Sequence, residues 1–156
     1  MNTPSPDRSP GIAPCSGSSL GLLFRQVRDA MWARMEKELA AAGHELNFSQ
    51  YITLKTLAYG PVGVGELARA AYLHPGAMTR LLDKLEDRGL TARDAVPGDR
   101  RALQVRLTDA GVALWTQISP SAQRVHDLAM AHLTEEEQVE LTRLLMQVRD
   151  NLAAED

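Results

Sequence analysis

The sequence predicts a mainly α-helical protein with one small β-hairpin set among its helices. Three observations carry that prediction. The 156 residues are 44% hydrophobic but only 4% aromatic, with Ala, Leu, Glu and Arg abundant, a composition suited to helices packed through aliphatic stripes. Apolar residues recur at three- and four-residue steps in several segments, the mark of one buried helical face. Only between Leu90 and Leu107 does the period shorten to two, as in a half-buried strand. A chain of this length suits one unit of ordinary domain size.

From Leu20 to about Ala42, the residues Leu20, Leu23, Phe24, Val27, Met31, Met35 and Leu39 fall on one stripe, and Gly43 ends the helix. Asn47 opens the second helix as its cap. Gln50 completes a capping-box spacing, and Leu46 and Tyr51 are placed as a hydrophobic staple. This helix is expected over Phe48 to Tyr59, before Gly60 and Pro61. A short third helix spans Gly65 to Ala71, with Ala68 and Ala71 small enough for a close helix crossing. After the turn Tyr72-Leu73-His74, Pro75 suits the first position of a fourth helix, where its missing N–H costs nothing. Met78, Leu81, Leu82 and Leu85 face inward on that helix until Gly89 caps it. Gly76, Ala77, Thr79, Arg80, Asp83, Lys84 and Arg88 are left facing out.

Two strands follow, Leu90 to Ala95 and Leu103 to Leu107, joined by a turn at Pro97-Gly98-Asp99-Arg100. Thr108 caps a fifth helix, with Leu107 and Val112 as its staple. It runs to about Leu133, with a bend expected at Pro120. The Thr134-x-x-Glu137 capping box opens the last helix, whose apolar face of Leu141, Leu144, Leu145, Val148 and Leu152 must be covered by something.

Several functional classes are disfavoured. Residues 1–19 hold Pro4, Pro6, Pro10 and Pro14 among serines and lack an apolar core, so they read as a flexible tail and not as a signal peptide. No apolar run reaches the length needed to span a bilayer, which predicts a soluble, cytoplasmic protein with no membrane partner. The single cysteine, Cys15, supports neither an intrachain disulfide nor a thiolate-rich zinc site. His44, His74, His126 and His132 do not occur at metal-binding helical spacings, so no metal is expected. No nucleophile triad or Gly-rich phosphate loop is present. The chain therefore reads as a non-enzyme with no catalytic residues and no cofactor.

The net charge is −3, but it is unevenly spread. Residues 62–107 hold eight basic and six acidic side chains, whereas residues 108–156 hold three and nine. A nucleic-acid reader needs one basic surface and not a basic total.

Two short helices joined by a tight turn, followed by a hairpin, form a helix-turn-helix with a wing. Such a second helix enters a major groove about 12 Å wide, so its outer face needs small residues for close approach and a few long donors. Gly76 and Ala77 meet the first need. Arg80 can present two donors to guanine, Thr79 can reach a base, a thymine methyl or a phosphate, and Lys84 lies on the same face. At the hairpin tip, Arg100 and Arg101 are suited to a narrow minor groove, and Asp99 to orienting one of them.

The segments Leu67-Ala68, Thr79-Arg80-Leu81-Leu82-Asp83-Lys84-Leu85-Glu86-Asp87-Arg88-Gly89-Leu90, Pro97-Gly98-Asp99-Arg100-Arg101 and Leu107-Thr108-Asp109-Ala110-Gly111 resemble the MarR family of bacterial regulators. The match runs residue by residue over roughly Leu46 to Gly111, and the flanking helices agree in order and length. Beyond the tail over 1–19, the resemblance implies a helical dimerisation region over 20–45 and 112–156, and a winged helix-turn-helix DNA-binding domain over 46–111. It further implies a homodimer on a near-palindromic operator of double-stranded DNA, its two recognition helices about 34 Å apart. Release by a small, often aromatic, anionic effector is also implied. The chain departs from the family at His74-Pro75-Gly76-Ala77-Met78, where hydroxyl residues are usual. Sequence preference is therefore expected to lean more on Arg80, the wing and DNA shape.

Phe24, Trp32, His44, Tyr51 and Trp115 lie on segments where effectors of the family bind, and ordinary core packing explains each equally well. Arg25 and Arg28 can pair with an effector carboxylate or simply face solvent. Cys15 invites comparison with the family's peroxide sensors but has no basic or tyrosine neighbour in sequence to lower its pKa. The negative total charge and the polar-poor recognition helix leave a second functional class open, a winged helix that binds protein instead of DNA.

Overall fold

The computed structural model describes residues 16–96 and 98–154, with side-chain surroundings for 20–96, 98 and 103–154. Cys15 and Pro97 lie outside the described residues, as do the side chains of Asp99, Arg100 and Arg101. The described elements run α1 (Ser16–Ala41), α2 (Phe48–Leu57), β1 (Val62–Gly63), α3 (Val64–Ala70), α4 (Pro75–Asp87), β2 (Thr91–Val96), β3 (Asp99–Leu107), α5 (Asp109–Ala129) and α6 (Glu135–Ala153).

The predicted caps form. Gln50 N–H donates to Asn47 Oδ1 at 2.9 Å while Asn47 N–H donates to Gln50 Oε1 at 3.0 Å, so two otherwise orphaned donors are satisfied reciprocally. Thr134 and Glu137 repeat the arrangement at α6. Gly89 takes φ +69° just beyond α4, and Leu90 N–H reaches back to the Leu85 carbonyl at 2.9 Å, an ending that favours glycine because a left-handed residue with Cβ is strained.

Several boundaries differ from the sequence reading; α1 already begins at Ser16, inside the segment 1–19 expected as a tail, and β3 begins at Asp99, within the expected turn. α2 ends at Leu57 instead of Tyr59, because Tyr59 and Gly60 donate to the Thr56 and Leu57 carbonyls in a tighter turn. A third strand, β1, adds to the hairpin: the antiparallel sheet has order β1-β3-β2, with Val62 opposite Val105 and Gly63 opposite Gln104. A two-residue strand carries no period to read and exists only through its partner. α5 runs through Pro120 as expected but ends at Ala129 and not near Leu133, with Ala131 N–H turning to the Leu128 carbonyl and His132 taking φ +70°. The Thr116 carbonyl, whose usual helical donor proline lacks, accepts from Ser119 Oγ at 3.4 Å.

One core unites the lobe. Leu54 and Leu57 of α2, Leu67 of α3, Met78, Leu82 and Leu85 of α4 and Val105 of β3 are buried together, and Met35 and Leu39 of α1 with Ile118 and Val125 of α5 extend this cluster. α6 is different. It has no buried residue, makes no substantial packing contact with another described element, and exposes Leu141, Leu144, Leu145 and Met146. α1 likewise exposes Leu20, Leu23, Val27 and Met31.

Candidate nucleic-acid interface

α3 and α4 make the helix-turn-helix, and its turn is strained at one residue. Tyr72 adopts φ +52° with its side chain almost fully exposed, in a left-handed conformation that costs a Cβ-bearing residue roughly 1–2 kcal/mol. Leu73 N–H closes the turn onto the Ala68 carbonyl at 2.8 Å. His74 then caps α4, its Nδ1 accepting from Gly76 N–H at 3.3 Å, and Pro75 occupies the first turn as its fixed φ favours.

The structure brings the predicted α4 residues onto one outward face. Gly76, Thr79, Arg80 and Lys84 are exposed and Ala77 is half-buried, while Met78, Leu81, Leu82 and Leu85 face the core. Thr79 Oγ1 donates to the Pro75 carbonyl at 3.1 Å, leaving its lone pairs and methyl group outward. β3 carries positions 99–101 of the wing.

Thr108 joins the wing to α5. Its N–H donates to the Leu90 carbonyl at 3.1 Å, its hydroxyl donates to the Gly89 carbonyl, and Gly111 N–H donates to that same hydroxyl at 3.1 Å. One side chain thus ties the end of α4 to the cap of α5. At Gly111 a Cβ would stand 2.0 Å from the Leu90 carbonyl oxygen, so only glycine fits.

Sequence reasoning passed over Arg93. It stands on β2 opposite Val105, on the inward face, with its side chain 23% exposed. Its Nη1 donates to Glu86 Oε2 at 2.6 Å, and its Nη2 donates to Asp83 Oδ1 at 2.8 Å and to the Thr79 carbonyl at 3.3 Å. The available signal was an arginine at an inward strand position soon after two carboxylates three residues apart, because a largely buried charge needs a partner.

Of the five aromatic and histidine positions singled out as effector contacts, three converge. Phe24, Trp32 and Tyr51 line one cleft of about 430 Å³ between α1, α2 and α5, with Arg28, Met31 and Phe48 among its other walls. Burial pushes the Tyr51 hydroxyl above its ordinary pKa, with a smaller contribution from Tyr59. Trp115 does not line this cleft, although its ring stands against Tyr51 with centroids 5.9 Å apart. His44 lies elsewhere, in shallow depressions beside Glu45. Phe48, which packs edge-on against Trp32 at 5.2 Å, and Tyr72 were not foreseen; both line a neighbouring cleft with Trp32 and Arg28. Arg28 donates to Asp29 Oδ1 at 2.7 and 2.9 Å, and Arg25 lines neither cleft. Among the described residues no group of His, Cys, Asp or Glu is arranged to hold a metal ion, and no helix is long and apolar enough to cross a membrane.

Comparison with known proteins agrees with this geometry. The family model of the MarR family matches residues 46–103. The transcriptional repressor NicR of Pseudomonas putida is 29% identical over 133 residues, covering 85% of this chain and 83% of NicR. The repressor Rv2887 of Mycobacterium tuberculosis is 32% identical over 127 residues, 81% of this chain and 90% of the relative. Among solved structures, a mutant MarR from E. coli complexed with operator DNA superposes with a TM-score of 0.71 at 27% identity, covering 83% of this chain and 93% of that one. With six helices and a three-stranded wing sheet among the described residues and an outward-facing α4, the chain belongs to the MarR family of winged helix-turn-helix transcriptional regulators, DNA-binding proteins that act without catalysis.

Proposed function

We propose that the protein is a homodimeric cytoplasmic repressor that binds a near-palindromic operator and is released by a small aromatic or phenolic anion. The observation that carries this reading is the pair of unpartnered apolar stripes on α1 and α6. A second copy covers both, and two-fold symmetry then sets the two α4 helices about one DNA turn apart. α4 enters the major groove: Gly76 and Ala77 permit close approach, Arg80 reads guanine, Thr79 contacts a base or phosphate, and Lys84 contacts phosphate. Arg100 or Arg101 enters the minor groove, and Asp99 orients one of them.

The effector occupies the cleft lined by Phe24, Trp32 and Tyr51, where aromatic walls favour a flat ring and Arg28 supplies a cation. Lying between α1 and the DNA-binding lobe, it changes the spacing of the two α4 helices. It acts only if its affinities for the two states differ, because equal binding shifts nothing. Unchanged operator affinity under a saturating aromatic anion overturns this part.

The decisive measurement is binding of wild type and Arg80→Ala to the DNA flanking the protein's own gene, at several salt concentrations. Tight wild-type binding to a palindrome, with a loss of roughly 1–3 kcal/mol in the variant, supports the reading. Weak, sequence-independent binding even at low salt turns it toward a protein-interaction module.

A further inference from the structure

We propose that Arg93 is a positioning residue for DNA reading, clamping the wing to the recognition helix without touching DNA. The inference rests on the reading of α4 and the wing as the two DNA-contacting elements. Thr79, Asp83 and Glu86 lie at i, i+4 and i+7 on α4, one stripe along two turns of the helix. Arg93 reaches all three from β2 through two terminal nitrogens, at 2.6, 2.8 and 3.3 Å.

A guanidinium is suited to this and an ammonium is not, because its planar fork presents several donors in fixed directions. Another wing arginine, Arg106, pairs with Asp94 of the facing strand and is 46% exposed, against 23% for Arg93. The Arg93 contact therefore joins two elements, whereas the Arg106 contact stays within the hairpin.

The consequence is geometric. A recognition helix and a wing that reach adjacent grooves must hold a fixed relative position, and a misplacement of about 1 Å weakens preorganised contacts sharply. On the face of β2 that carries Arg93, the alternate residues are small or polar, Thr91 buried and Ala95 exposed. Apolar packing alone leaves that position loosely defined. Arg93 also neutralises two carboxylates on the helix that must approach phosphates, so clamping and charge cancellation have to be separated experimentally.

The probe is a duplex selected by the wild-type protein from a random library, compared with an unselected duplex. Arg93→Met is expected to bind the selected duplex at least about tenfold more weakly. Its binding to the unselected duplex is expected to change less than about threefold, with the slope of log affinity against log salt preserved. In the same series Lys84→Ala, a phosphate contact, is expected to lower that slope by about 1. Hydrogen exchange at the β2 and β3 amides should accelerate in Arg93→Met while the α2 amides keep their protection. Should Arg93→Met fail to fold, Arg93→Lys, which keeps the charge and loses the fork, gives the same comparison with a smaller loss.

A slope reduced by about 1 makes Arg93 a phosphate contact and overturns the proposal, as does unchanged affinity. Recovery of wild-type affinity on adding Asp83→Asn and Glu86→Gln to Arg93→Met makes it a charge neutraliser only, and also overturns it. If the wild type itself selects no duplex, the DNA reading fails first and this proposal falls with it.

Discussion

Among the described glycines, Gly111 leaves the least room for a side chain, since a Cβ there would lie 2.0 Å from the backbone oxygen of Leu90. The obstacle is main chain, so no rotamer change relieves it. Gly111→Ala is expected to cost more than about 2 kcal/mol, at the upper end of overpacking effects, even though alanine is the better helix former. A denaturant melt measures it, and a loss under about 0.5 kcal/mol would show that α5 can slide away from Leu90. Thr91 presents the opposite case: its hydroxyl is buried with no hydrogen-bond partner. Thr91→Val keeps the β-branched shape and removes an unsatisfied group, so stability is expected to hold or rise by up to about 1–2 kcal/mol. A lower melting temperature would contradict it. The Thr108-x-x-Gly111 spacing was legible as a helix start; the clash that makes glycine obligatory was not, because Leu90 arrives from a distant part of the chain.

α1 and α5 are joined by a charged pair as well as by apolar contact. Arg124 Nε donates to Glu38 Oε2 at 2.7 Å, and that hydrogen bond holds the Glu38 carboxyl below its ordinary 4.5, against the opposing effect of desolvation and with further help from the charges of Arg124 and Arg34. A carboxyl whose pKa is lowered by folding stabilises the fold at pH values above its ordinary one, and the contribution disappears as pH falls through the lowered value. Arg124→Gln is therefore expected to lower the urea midpoint slightly at pH 7, with the gap from wild type closing as pH drops well below 4.5. A gap independent of pH would assign the effect to packing of the Arg124 stem. The caps at Asn47, Thr108 and Thr134 could be read directly, because capping is a contact between residues three apart. β1 could not, since its two residues become a strand only against β3.

The chain as a whole leaves α6 without a buried residue, which an isolated lobe in water does not sustain. The proposed homodimer covers this face, and on that reading Leu144→Glu with Leu145→Glu is expected to convert a dimer to monomer in analytical ultracentrifugation. Operator affinity should fall at least about 100-fold as bivalent engagement is lost. A doubly substituted protein that still sediments as a dimer would place the interface on α1 alone. The cleft of Phe24, Trp32 and Tyr51 belongs to the same level of organisation, since its walls come from separate helices. That separation is why the sequence reading grouped His44 and Trp115 with them: segment order brings helices near one another but does not say which side chains share a cavity.

Local pattern alone determined the described helices, the hairpin and the outward face of α4. Each depends on periodicity, caps and turn residues that act over a few positions, and a short-range signal survives in sequence. Tertiary structure alone decided the third strand, the Arg93 clamp, the necessity of Gly111 and the membership of the cleft. Each depends on atoms that meet only after α1, α4, the hairpin and α5 have packed, and contacts between distant residues leave no period to read.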